Sequence, residues 1–200
     1  MAKIKLTKTE LKTQKDALAR FARFLPLLQL KKQQLQTETS HLRAKAETIA
    51  REREMLLDSV SSWVGLVANG DYEIPVVLER VVTSMGNIAG VAIPVFERIE
   101  TSRPEVDLFT TPAWVDDTAN AAETLMKLSA KENVLNDEIR LIEEELRVTS
   151  QRVNLFEKVK IPECRENIRV ITIALGDEQT AGVIRGKISK GRTHGEVVCA

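Results

Sequence analysis

From Leu11 to Val67 apolar residues recur at steps of three and four. Leu18, Phe21, Leu25, Leu28, Leu35, Leu42, Ala46, Ile49, Leu56, Val60 and Trp63 hold one helical register almost unbroken. Such a stripe is a heptad seam, too narrow to be buried by the helix that carries it. A second stripe runs through Leu125, Leu128, Leu135, Ile139, Ile142, Leu146, Thr149, Val153 and Phe156. The pattern predicts a mainly α chain: a long antiparallel two-helix coiled coil with a short β-hairpin in the central region. The coiled-coil shaft is expected from residues 1–70 and 116–190, the hairpin and a loop from 71–115, and a flexible tail from 191–200.

Local signals set the boundaries. Thr7, Lys8, Thr9 and Glu10 read as a capping box, so the first helix starts there. It is expected to reach about Ala68, where Asn69, Gly70 and Asp71 supply a stop, giving a rod on the order of 90 Å. Pro26 falls inside it and predicts a kink. Pro162 breaks the second register, which Cys164, Ile168, Ile171 and Leu175 resume with a slip. Setting Ala68 beside Asp116 brings Pro162 opposite Pro26, so both helices are expected to bend at one level. Gln14, Lys32, Thr39 and Arg53 interrupt the first seam. Polar seam residues fix register or partner at a cost in stability, and a locally solvated rod accounts for them as well.

The middle of the chain has a different period. Val76, Val77, Leu78, Val81 and Val82, then Val91, Ile93, Val95 and Phe96, form β-branched or aromatic runs too short for the heptad. Gly86, Asn87, Ile88, Ala89 and Gly90 between them supply a tight connection, which makes this a hairpin. Pro94 belongs on an edge, and two strands alone must lean on the helices or on a partner. Thr101 to Trp114, with Pro104 and Pro112, reads as a loop, and Asp116 or Asp117 as the N-cap of the returning helix. Beyond Leu175, Gly176 and Gly182 loosen the helix, leaving a short last turn through Arg185, Lys187 and Lys190.

Composition fits a thin seam: aromatics are 4% of the chain and charged residues 29%. The formal net charge is zero, but the charges are segregated. Met1 to Lys32 carries nine basic and two acidic residues, Ala181 to Arg192 four basic and none acidic, and Glu100 to Arg147 twelve acidic and five basic. Antiparallel pairing puts both basic segments at one end.

The titratable residues form no recognisable reaction centre. Cys164 and Cys199 form no CxxC and adjoin no histidine cluster, so no disulfide framework or zinc site is indicated, and a reducing cytosol fits. The segment from Gly182 to Ile188 approaches a phosphate loop and fails it. Three residues rather than four separate Gly182 from Gly186, and Ile188 stands where Ser or Thr is required. His41 and His194 share no local site, and Glu143, Glu144 and Glu145 diverge around a helix as a solvated face. Phe21, Phe24 and Trp63 at helical spacing read as packing rather than a base-stacking platform. No apolar run is long enough to span a membrane, and no signal peptide is expected. The chain by itself is therefore expected to have no catalytic residues, no cofactor and no metal.

The stretch from Leu6 to Leu35, LTKTELKTQKDALARFARFLPLLQLKKQQL, and that from Arg152 to Lys190, RVNLFEKVKIPECRENIRVITIALGDEQTAGVIRGKISK, resemble the D subunit of the V-type (archaeal and bacterial A/V-type) ATP synthase. GNIAGV, Gly86 to Val91, resembles that family's hairpin turn. The resemblance implies a central-stalk rotor subunit whose termini enter a ring of alternating A and B subunits. It implies further partners in the small F subunit and in the funnel-like subunit above the membrane ring, and a place at the cytoplasmic face of the cell membrane. ATP chemistry belongs to A and B. Under this resemblance Phe21, Phe24, Leu25, Val183, Ile184 and Arg185 are expected near the bearing end, and Ile88 and Val91 at a surface for the ring or F. The rival readings are a free coiled-coil adaptor without any ATPase, and nucleic-acid binding through the basic ends, which lacks aromatic interleaving and net positive charge.

Overall fold

The computed structural model describes residues 4–63, 65, 76–104, 112 and 114–197, with side chains as far as Arg192. The expected stop at Asn69, Gly70 and Asp71 lies outside these residues, as do residues 105–111 and 113 of the expected loop. The element order is helix, hairpin, helix: α1 (Lys8–Ser61), β1 (Val77–Ile88), β2 (Val91–Ser102), α2 (Trp114–Leu155), a π-helical turn (Phe156–Lys160) and α3 (Ile161–Val197). The mainly α fold with one antiparallel hairpin is thus present. The chain divides into two compact units, residues 1–30 with 150–200 and residues 31–149.

In the first unit α1 begins under the Thr7 cap, whose hydroxyl accepts the Glu10 N–H at 3.3 Å. The reciprocal arm of the capping box is not made. The Thr7 N–H donates to the Lys5 carbonyl, and the Glu10 carboxylate accepts from Gln14 at 2.8 Å. Pairing with the C-terminal helix is antiparallel. Asn167 donates to the Gln14 side chain at 3.4 Å, and the Phe21 and Phe156 rings meet at 5.0 Å. Val153, Ile161, Cys164 and Ile171 are the buried residues of this seam.

The step from Phe156 to Ile161 is five residues, one more than a heptad allows, and the backbone absorbs the excess locally. Phe156–Lys160 forms a π turn, in which the Ile161 N–H donates to the Phe156 carbonyl five residues back. The slip expected at Pro162 is thus taken up just before it. The π turn sits immediately before Pro162, whose ring would crowd the carbonyl four residues back in a regular helix and which has no N–H to give. The two prolines are not level, contrary to expectation. Pro162 falls between the levels of Phe156 and Asn167, opposite Gln14 to Phe21. Pro26 therefore lies at least five residues farther along α1, about 7.5 Å of helix rise.

In the second unit Leu35, Leu42 and Ile49 of α1 meet Leu135 and Ile142 of α2, and Ile93 of the hairpin joins them. Leu35 and Ile142 are fully buried, each worth about 1.5–3 kcal/mol relative to exposure. Polar contacts flank this seam in antiparallel order: Lys31 to Glu145 at 2.7 Å, Arg43 to Glu143, and Arg53 to Glu132 at 3.2 Å. Such half-exposed pairs add little stability, but each is satisfied only in one register. Of the polar seam positions, Gln14 and Arg53 thus reach across to the facing helix, while Thr39 is buried and donates to the Leu35 carbonyl of its own helix at 2.8 Å. The acidic run is not merely a solvated face, since Glu143 and Glu145 both bridge to α1. α1 ends at Ser61, where Ser59, Ser61 and Ser62 each donate to the carbonyl three residues back and compete with the helical ladder.

The hairpin is longer and its turn tighter than expected. β1 and β2 pair from Val77↔Ser102 to Ile88↔Val91, with irregularities at Leu78/Arg80 and Val82/Thr83. Asn87 and Ile88 belong to the strand, and only Ala89 and Gly90 turn, with φ of 50° and 82°. Two positive φ values are what a two-residue turn needs to follow the twist of its strands. The Asn87 side chain accepts the Gly90 N–H at 3.0 Å. Gly86 answers a different constraint, for it pairs with Ile93, and a Cβ there would stand 2.8 Å from Val95 Cγ2. At the base, Thr101 donates to Glu123 at 3.1 Å and Arg103 to Asn120 at 3.0 Å, which fastens the hairpin to α2.

Two helix boundaries differ from expectation. α2 begins at Trp114, so Asp116 and Asp117 lie in its first turn rather than at its cap, where they still favour the dipole. α3 continues through Gly176, Gly182, Gly186 and Gly191 to Val197, seven residues into the expected tail. Glycine weakens a helix without forbidding it.

Glu138, at 5% exposure, is the acidic residue buried in this core. Burial pushes its carboxyl above the ordinary range, partly offset by Lys45. Because the folded value is the higher one, the stabilisation is full below the unfolded value and is lost as pH rises through the folded value. Glu138→Gln should therefore melt above the parent at pH 8, and the gap should close on lowering to about pH 4. In the turn, Ala89→Asn should raise the melting temperature, by up to about 1 kcal/mol in stability. Gly90→Ala, where open space leaves only the backbone cost, should lower it by about 1–2 kcal/mol.

Candidate functional site

A chain built on seams leaves apolar side chains outside them, and their positions mark the candidate docking surfaces. The sequence-predicted residues fall into three groups. Phe21 and Leu25 are half-buried, with Phe21 against Phe156, so they serve the seam. Phe24 is 51% exposed, and Val183 and Ile184 are 59% and 52% exposed, with Arg185 exposed beside them. Ile88 and Val91 are half-buried and pack, with Ala89, on the Leu35–Ile142 core of this same chain. The hairpin leans on the helices through its tip, whose side chains stay partly exposed.

The exposed set extends beyond those residues. Leu27 and Leu30 follow Phe24 on α1, turning progressively away from the seam, and Ile188 follows Ile184 on α3. Their signal in the sequence is an apolar residue out of register. On the hairpin, Met85 at 75% and Val77 at 60% face outward.

The end of α3 has a geometric peculiarity. Asn167 stands level with Gln14, and α1 starts six residues before Gln14. The corresponding level on α3 is near Ile173, so α3 outruns α1 by more than 20 residues. From Gly182 to Arg192 every side chain is exposed. An exposed helix of that length, interrupted by glycines, is marginal in water. Its apolar Val183, Ile184 and Ile188 alternate with basic Arg185, Lys187, Lys190 and Arg192. That composition suits a surface that is apolar in places and acidic in others.

Two clefts flank the hairpin in the second unit. One, of about 470 Å³, lies between Leu78, Val81 and Thr83 of β1 and Leu125, Met126, Ala130 and Val134 of α2. The other, of about 440 Å³, lies between β2 and both helices, with Val95, Phe96, Leu42, Ile49 and Leu135 in its walls and Glu138 among them. Among the described residues no group of His, Cys, Asp and Glu is placed to hold a metal ion, and no helix is long and apolar enough to cross a membrane. His41 is exposed beside Glu38. Cys164 is a free thiol held in the seam, its pKa raised by burial and by neighbouring Glu163, which disfavours the reactive thiolate.

Comparison with known proteins meets this geometry from the other side. Residues 10–191 match the family described as the ATP synthase D subunit. The D subunit of the V-type ATP synthase of Borreliella burgdorferi is 45% identical over 191 residues, covering 95% of each chain. Proteins of the same name from Chlamydia muridarum and Chlamydia trachomatis serovar L2 are each 35% identical, covering 94% of this chain and 95% of their own. A match across both helical blocks and the hairpin between them, at this identity, places the chain in the family of ATP synthase D subunits.

Proposed function

We propose that this chain is the central-stalk rotor subunit of a V-type ATP synthase, transmitting torque between a membrane ion-translocating ring and a catalytic ring of A and B subunits. ATP chemistry would reside in A and B, and the chain itself would be non-catalytic, held at the membrane's cytoplasmic face through its partners. The observation that carries this reading is the end of α3, a continuous helix whose side chains from Gly182 to Arg192 are exposed, apolar and basic by turns, as suits a surface that a ring of partners encloses. Phe24, Leu27 and Leu30 would extend that bearing surface along α1.

Antiparallel pairing supports torque transmission, because neighbouring helices locked by a buried seam and by cross-helix polar contacts resist twisting together. The hairpin would contribute differently from the sequence expectation. Its tip residues Ile88 and Val91 stabilise the helix pair, and its outward Met85 and Val77, with the cleft beside β1, would offer the surface for the F subunit. The funnel-like subunit would take the remaining end.

Reconstitution with a catalytic A/B ring tests the reading. The chain should co-elute at one copy per hexamer and change the rate of ATP hydrolysis. The double substitution Val183→Asp and Ile184→Asp should weaken that association by about tenfold or more while leaving helix content unchanged, since both side chains are exposed. Undiminished co-elution of the variant would remove the α3 end from the interface. A parent chain that neither associates nor alters hydrolysis would be an adaptor of another kind.

A further inference from the structure

The hairpin has two outer edges, and they are not alike. In a hairpin with a two-residue turn the pair beside the turn, here Ile88↔Val91, is hydrogen-bonded, and residues alternate from there between facing the partner strand and facing away. β1 is regular from Arg80 to Ile88, so Val81, Thr83, Met85 and Asn87 turn their backbone N–H and C=O groups outward. On β2 the outward residues nearest the turn are Ala92, Pro94 and Phe96. Pro94 has no N–H to offer, Glu97 stands unpaired in the register shift, and Arg98 and Glu100 follow. Proline, bulges and charges are the means by which exposed edges are kept from pairing. The run from Val81 to Asn87, VVTSMGN, contains no proline, no charge and no unpaired residue.

What lies beside this open edge defines its occupant. The 470 Å³ cleft has β1 on one side and α2 on the other. From the strand Val81 and Thr83 border it while Val82 between them does not, which is the alternation of an edge whose outward groups face the cleft. From α2 it receives Leu125, Met126, Ala130 and Val134, beside a polar row of Ser129, Asn133 and Asp137. Leu125 to Asp137 is about 18 Å of helix, which an extended chain covers in about five or six residues. A slot with a strand edge for one wall and a helix for the other takes one extended segment, which pairs with the edge through its backbone and lays alternate side chains on the helix. A helix in the same place would leave the outward amides of β1 unanswered. A second copy of this chain would bring its own hairpin and helices against α2. Asp137 is the one charged residue lining the cleft, and Arg140 holds it at 3.1 Å on an exposed flank, so the slot favours an uncharged or basic segment over an acidic one.

We propose that the outer edge of β1 accepts an extended segment of a partner protein as a third strand, seated in the cleft against α2. Val81 and Thr83 supply the central backbone hydrogen bonds, and Met85, 75% exposed, continues the edge toward the tip. The proposal does not rest on the rotor reading, because the strand and the helix that form the slot belong to one unit of this chain. A failed reconstitution with the catalytic ring would leave it standing.

The probe is a capped peptide of about seven residues, valine and threonine in alternation with a lysine at each end. Added to the full-length chain, it should bind saturably at one site and slow amide hydrogen exchange at Val81 and Thr83, with no slowing at Ala92 on the opposite edge. Two versions N-methylated at alternate residues, one for each edge of the peptide, separate strand pairing from apolar adhesion. One should lose affinity by about tenfold or more and the other should keep it. Thr83→Pro, which removes an outward N–H and no donor of the ladder, should weaken binding likewise, and the methylated pair keeps the test independent of how that variant folds. Absence of saturable binding, equal behaviour of the two methylated peptides, or binding that leaves the Val81 and Thr83 amides unprotected would overturn the assignment. So would a dimer of the chain that the peptide dissociates, since the edge would then belong to a second copy.

Discussion

Everything in this protein depends on a pair of helices sharing one narrow apolar seam. Leu35, Leu42 and Ile49 on one side and Leu135 and Ile142 on the other form, with Ile93, the buried core cluster of the second unit, and Val153, Ile161, Cys164 and Ile171 are the buried apolar residues of the first. A seam this thin leaves little redundancy. A core only a few residues across cannot spread the loss of one member over many neighbours. The hairpin is best understood against that constraint, since inserting Ile93 into the groove between the helices broadens the core where it would otherwise be two helices wide.

The same thinness gives polar residues an unusual share in specificity. Apolar residues repeating every seven can slide by a heptad with modest loss. Gln14 with Asn167, Lys31 with Glu145 and Arg53 with Glu132 cannot, because each contact needs its own partner at its own level. Their contribution to stability is small and their contribution to register is not.

Most of the architecture was readable because it rests on periods. The helical stripes, the change of period at the hairpin and the slip of register around Pro162 are all spacing phenomena, and spacing survives in sequence. What was misread depended on three-dimensional accounting. Gly86 looked like a turn residue, though its real constraint is the approach of Val95, which no local pattern reveals. That Ile88 and Val91 also pack on the helices is a tertiary contact that no local pattern reveals. The glycines of α3 argued for an end to the helix, and propensity alone does not decide where a helix stops.

The π turn at Phe156–Lys160 also fixes an angular coordinate. One residue corresponds to about 100° of rotation about a helix axis. Removing the extra residue from that turn would swing Ile161, Cys164 and Ile171 away from α1 and carry every later side chain round by the same angle. Segments exchanged between relatives at this point would therefore keep their surfaces aligned only if the turn travelled with them.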